Sequence, residues 1–207
     1  MVLRDLHRAS AVLIGVFALV HIANHLASLS GVSAHIAFME AARAVYRQPA
    51  IESLLLLCVA FQVASGLRLV ARGWRRRSGA VAWLQAVSGI YLVFFFLVHV
   101  AAVLFGRSVL GLDTNFYYAA AGFHVPPYPL FFAPYYFLGV FAVFAHLGCA
   151  AYWRAASRPR VVRVLALALP TSIGAVVSLL IGLSLAGHIA PVDIPAKYKA
   201  TYGRQVL

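Results

Sequence analysis

Five stretches of this chain, near 10–30, 51–71, 80–105, 130–153 and 164–188, each exceed twenty residues and are almost free of charge. A hydrocarbon core of about 30 Å takes roughly 20 residues to cross as an α-helix. Backbone polar groups find no water there, so each run must satisfy its own hydrogen bonds as a helix. The rest of the composition agrees: 63% of the 207 residues are hydrophobic, only five side chains are acidic, and the mean hydropathy is +0.89. A water-soluble domain of this length has no use for so much apolar surface. The sequence therefore predicts an all-α membrane protein, one transmembrane domain over 1–207 with five spanning helices. The first run carries internal histidines and no small-residue cleavage site, which distinguishes it from a removable signal peptide.

Orientation follows from the basic residues. Eleven arginines (Arg4, Arg8, Arg68, Arg72, Arg75, Arg76, Arg77, Arg154, Arg158, Arg160 and Arg163) fall on one side of the predicted spans. Six cations (Arg43, Arg47, Arg107, Lys197, Lys199 and Arg204) fall on the other. The richer side is expected in the cytoplasm, with the amino terminus inside and the carboxyl terminus outside, in a membrane of the bacterial inner-membrane type. The net charge of +12 then serves topology and contact with anionic lipid. A nucleic-acid role is not expected, because these arginines sit in short loops at helix ends.

Two connections on the outer side differ from the short inner loops. Ser33–Arg47 has apolar residues at helical spacing with charges between them, and reads as a helix lying in the membrane interface. The aromatic stretch 112–129, in a Leu112–Phe137 segment rich in tyrosine, phenylalanine and proline, suits a headgroup-level anchor or a lid over an outer site. Cys58 and Cys149 are both at membrane depth and far from any metal-ligand spacing, so they are read as packing residues.

The chemistry lies in the histidines. In "RASAVLIGVFALVHIANHL" Ser10 precedes His21 by eleven residues, and in "QAVSGIYLVFFFLVHVAAVL" Ser88 precedes His99 by eleven. The shared layout suggests an internal repeat in which the first and third spans are equivalent, and the second and fourth likewise, with Gln62 and His146 as counterparts. Ionisable groups inside a membrane are costly and mark function. Here they are His21, His25, His99 and His146, with no carboxylate or lysine at mid-depth. Neutral imidazoles in a helical bundle fit axial ligation of haem iron. Parallel first and third spans present His21 and His99 at one height, roughly 16 Å from their serines at 1.5 Å per residue. A porphyrin between them is expected among Phe17, Phe94, Phe95 and Phe96. His25, one turn beyond His21, is an alternative ligand or a propionate partner. Asn24 is expected to point elsewhere and make an interhelical hydrogen bond, and His7, His35, His124 and His188, at or near the interface where solvation is cheap, to be non-ligating. The rival reading gives every buried histidine a neighbouring carbonyl or serine as partner.

Short motifs add a resemblance. "LHRASAV" (Leu6–Val12) resembles the His-Arg-x-Ser opening of the quinone site in succinate dehydrogenase cytochrome b subunits. "AFQVASGLRL" resembles that family's second helix, with Gln62 where a haem-ligating histidine is expected. The His21 and His99 helices resemble those holding the outer haem in the di-haem fumarate reductase cytochrome b branch. The resemblance covers roughly residues 6–158. It implies an up-down haem-binding bundle of the first four helices, with the fifth added at its side. It implies one or two b haems on His21, His99, His146 and His25, and a quinone pocket with His7, Arg8, Ser10, Gln62 and Ser88. Flavoprotein and iron–sulfur subunits would dock on the arginine-rich cytoplasmic face. The alternatives are a free-standing transmembrane cytochrome b and a cofactor-free transporter or scaffold.

Overall fold

The computed structural model describes residues 2–203, so Arg204, counted above among the outer cations, lies outside the described residues. Five long helices are apolar enough to cross a membrane: α1 (Val2–Ala27), α3 (Pro49–Gly73), α4 (Ala80–Ser108), α6 (Pro129–Arg154) and α7 (Arg160–Leu185). Three shorter ones are α2 (Val32–Tyr46), α5 (Phe116–Ala120) and α8 (Ala196–Lys199). Pro49 and Pro129 open α3 and α6, where a missing N–H costs nothing. Gly187 closes α7 at φ +76. The His188 N–H bonds the Leu183 carbonyl and the Gly187 N–H bonds that of Ser184, two bonds that need a left-handed residue between them.

The spanning helices are lined on one side with exposed aliphatic chains, among them Val16 and Leu19 on α1, Leu57 on α3, and Ile173 and Val176 on α7. Such rows are untenable in water and natural against lipid tails. The helices pack in a ring: α1 on α3, α3 on α4, α4 on α6 and α6 on α7. The α6–α7 contact is the most extensive of these, and α7 meets α1 only sparsely. The fifth span is therefore not a bystander at the side of a four-helix bundle; it stands in the ring between the fourth and the first.

The chain starts and ends its helices differently from the sequence reading at two places. Helix α1 begins at Val2, not near Ser10, so His7 and Arg8 are helical. Helix α7 stops at Leu185, three residues short of His188. The interfacial segment forms α2 nearly as expected. The aromatic segment does more than anchor, since α5 folds inward with Phe116 and Ala120 fully buried. They join Ile22, Ile181, Leu185, Ile194 and Tyr198 in the main apolar cluster of the far end, opposite the arginine-rich end. Arg43 of α2 bonds Asp113 at 2.8 Å and Arg47 bonds Thr114 at 3.2 Å, fixing this roof to the interfacial helix. Glu52 in the first turn of α3 pairs with Arg107 in the last turn of α4, each charge opposing its helix dipole. Cys58 and Cys149 are buried and unpaired.

The α6–α7 seam depends on Gly174, where an added Cβ would fall 2.4 Å from Phe144 Cβ, an atom too near the backbone to move aside. Gly174→Ala is expected to destabilise the protein by about 1–3 kcal/mol through overpacking. A lowered unfolding temperature in detergent would report it. Gly182→Ala, with nothing within 4 Å of the new methyl, is expected to change little.

Candidate functional site

Helices α1 and α4 are not among the closely packed neighbours of the ring, yet their imidazoles meet across its interior. The ring centroids of His21 and His99 are 5.9 Å apart at an interplanar angle of 69°. Each is backed by the phenyl ring one turn earlier on its own helix. Phe17 stacks on His21 at 5.7 Å and Phe95 on His99 at 5.2 Å. Spacing of four residues puts each pair on one helical face. Of the other two phenylalanines expected around a porphyrin, Phe94 lies on the exposed side beside Tyr91 and Tyr135, and Phe96 makes none of these ring contacts.

Two further imidazoles extend this pair toward the far end. His25 lies edge-on to His21 at 4.9 Å, and His35 of α2 lies 5.1 Å from His25. The solvated role expected for His35 is wrong, because the residue is 2% exposed. Asn24 makes the expected interhelical hydrogen bond, its side-chain nitrogen 3.2 Å from His35 Nε2 of α2, but it does not point elsewhere, since it lines the same cavity. That cavity, about 60 Å³, is bounded by His21, His25, His35 and His99 and roofed by Thr114 and Tyr118. His35 and Met39 are both buried, four residues apart on one face of α2; that spacing was the available signal.

Hydrogen-bond accounting separates the histidines into two groups. His7, His35, His124 and His146 each have a protein partner. Among the described residues no hydrogen bond reaches either nitrogen of His21, His25 or His99, and the buried His25 Nδ1, His35 Nδ1 and Asn24 Oδ1 have none. Buried polar atoms are nearly always satisfied, so unsatisfied ones need an explanation.

A haem iron was tested against this geometry. Two imidazoles on opposite sides of one metal, at about 2 Å per metal–nitrogen bond, put their centroids roughly 6 Å apart, and His21 and His99 match that. His25 forms no such pair with His99. The void itself is small, so a macrocycle enters only by displacing side chains from between the helices. Among the described residues no group of three or more histidine, cysteine or carboxylate side chains is placed to hold a metal ion; the donors on offer come as pairs.

A second polar cluster lies toward the arginine-rich end. Gln62 Nε2 donates to His7 O and to Ser10 Oγ, both at 2.6 Å, and Ser10 donates to Leu6 O at 3.0 Å. His146 Nδ1 lies 3.2 Å from Ser88 Oγ and 3.1 Å from Gln85 O. The contacts fit the expected equivalence of Gln62 and His146, since Gln62 ties the second span to Ser10 of the first and His146 ties the fourth to Ser88 of the third. Beside Ser10 an apolar groove of about 310 Å³, lined by Leu6, Ala9, Leu13 and Phe61, opens on the lipid-facing surface. Arg8 is exposed at the end of this cluster, 3.7 Å from Asp5.

Burial pushes the His35 imidazole down to about 4, helped by nearby His21 and Arg43. Its unfolded value is near 6.5. The folded state therefore resists a proton that the unfolded chain accepts, and stability falls as pH drops from about 6.5 toward 4. At pH 5 the loss is about 2 kcal/mol. The unfolding temperature is expected to fall between pH 7.5 and pH 5, and His35→Asn to flatten that dependence; an unchanged slope would count against it.

No protein-family model matches this chain, and neither does any curated protein or solved structure.

Proposed function

We propose that this chain is a haem b-binding electron-transfer protein of the membrane, exchanging electrons with membrane quinone as the anchor subunit of a succinate dehydrogenase or fumarate reductase type of complex. The observation that carries the reading is the His21–His99 pair: two half-buried imidazoles from non-adjacent helices, 5.9 Å apart and without hydrogen bonds among the described residues. Histidines serving as interhelical glue would be bonded, as His7 and His146 are. A haem iron bound between them supplies one-electron exchange. The chain's part is to hold both rings by Phe17 and Phe95 and to exclude water with the α5 roof.

The quinone would enter from lipid by the groove beside Ser10. A quinone carbonyl needs a hydrogen-bond donor in an apolar slot. The Gln62 amide and the Ser10 and Ser88 hydroxyls already donate to the chain, which leaves the exposed Arg8 guanidinium as the candidate donor of that set. The arginine-rich end would face the cytoplasm and carry the docking surface for soluble redox subunits. A transporter would need spanning helices unwound at mid-depth; all five run unbroken, even past Pro134 in α6 and Pro170 in α7, which weighs against that reading.

The purified full chain, produced with haem available, is expected to be red with a b-type reduced-minus-oxidised spectrum. His21→Ala and His99→Ala should each lose the same component, and His124→Ala, whose ring caps the carbonyl of Leu185, should lose none. A colourless wild-type protein would sink the reading. For the quinone site, Arg8→Ala is expected to raise the quinone KM about tenfold or more, a loss of about 1.4 kcal/mol, with the haem spectrum unchanged.

A further inference from the structure

The short connection between α3 and α4 carries three consecutive arginines, Arg75, Arg76 and Arg77, between two tryptophans, Trp74 and Trp83. Arg75 and Arg76 are exposed, whereas Arg77 is half-buried. Its guanidinium turns back over the end of α3. There Nη2 lies 3.5 Å from the Val70 carbonyl, and a Cβ on Gly73 would sit 3.4 Å from the same nitrogen. The guanidinium carbon is 5.5 Å from the ring centre of each indole, and the indoles meet edge to face at 5.1 Å. At those distances both rings attract the cation, so Arg77 is braced from two sides.

The charge so held has no anion of the chain to answer it. Of the five acidic residues only Asp5 lies at the arginine-rich end, and it pairs at 3.7 Å with Arg8. Among the described residues no carboxylate lies within 4 Å of an arginine in the 68–77 or 154–163 segments. Arg77 Nη1 is shut off from solvent and has no hydrogen-bond partner, and a buried charged donor left unpaired is costly. Capping α3 does not explain the arrangement, because the one bond to Val70 O is at the outer limit of a hydrogen bond.

The tryptophans show what surrounds the site. Trp74 is 48% and Trp83 39% exposed, and so are Leu67, two turns before Trp74, and Val87, one turn after Trp83, on the lipid-facing rows of α3 and α4. An indole at the end of such a row sits at headgroup depth, and Arg77, between the two, shares that depth. Phosphate oxygens suit a guanidinium, whose planar fork takes two of them at once. Three adjacent cations with no acid among them favour a lipid of net negative charge over one whose phosphate is neutralised by choline.

We propose that the Trp74–Arg77–Trp83 clamp, with Arg75 and Arg76 beside it, binds the phosphate of an anionic phospholipid on the arginine-rich side of the membrane. The site stands apart from the histidines and does not depend on what fills the space between them.

The chain's own indoles report the test. Full-length protein carrying Trp153→Phe, so that only Trp74 and Trp83 emit, is reconstituted into phosphatidylcholine vesicles. Phosphatidylglycerol or phosphatidylcholine brominated on its acyl chains is titrated in, and quenching is read against the same protein in unbrominated lipid. Brominated phosphatidylglycerol is expected to reach half-maximal quenching at a mole fraction about fivefold lower than brominated phosphatidylcholine, the weight of one arginine at an anionic surface. Arg77→Gln should abolish that preference, and Arg77→Lys, which keeps the charge but not the fork, should recover only part of it. Arg158→Gln, at an exposed arginine of the α6–α7 connection, should leave it intact. Circular dichroism and elution volume matching the parent protein establish that each variant is folded. Equal quenching by the two lipids, the result if the loop serves a soluble partner instead, would overturn the proposal. So would a preference that survives Arg77→Gln, or one that Arg158→Gln removes equally.

Discussion

Every polar atom that this chain carries into hydrocarbon must find its partner inside the chain, because the surroundings offer none. That requirement decides where each helix touches its neighbours. Gln62 reaches both His7 O and Ser10, Ser65 and Ser88 receive imidazoles, and Tyr91 and Tyr135 donate to backbone carbonyls across the α4–α6 seam. The seams are thus stitched at fixed heights, and the helices between them are free to be uniformly apolar. Against that economy, among the described residues no hydrogen bond reaches the imidazoles of His21, His25 or His99, which meet one another instead.

The far end is built around those groups. Helix α2 and the α5 segment arrive there by different routes and are joined by Arg43–Asp113 and Arg47–Thr114. Tyr118 reaches down to the Ala102 carbonyl at 2.7 Å, its ring filling the space a side chain at Gly106 would need. Tyr198 of α8 closes the cluster from the carboxyl-terminal side. Tyr46, Tyr118 and Tyr136 line the cavity beside the imidazoles, and aromatic side chains cost little entropy to hold in place.

Much of this was legible before any coordinates. Run length alone gives the five spans, because hydrocarbon thickness leaves no other solution, and matched eleven-residue intervals bring His21 and His99 to one level. The start of α1 was not legible. Arg4 and Arg8 mark the end of the apolar run, but helix propensity takes no notice of where hydrocarbon ends, and α1 continues through His7 to Val2. His35 was judged by its position in the chain instead of by its face on α2. The α5 roof is too short for periodicity to register; its sign was Asn115, which caps Tyr117 N–H at 3.0 Å.

The ring of spanning helices is not equally strong all the way round. At α6 and α7 it is welded by long interdigitation, whereas α7 and α1 meet at one hydroxyl contact, Ser28 to Ser184 at 2.7 Å, and a few apolar side chains near it. Below that clasp the two helices have little to hold them together. Mechanically the molecule is a split ring with a stiff back and a latch at one end. Local opening begins where the fewest contacts must break, so the ring is expected to part first between α7 and α1, with every helix still wound.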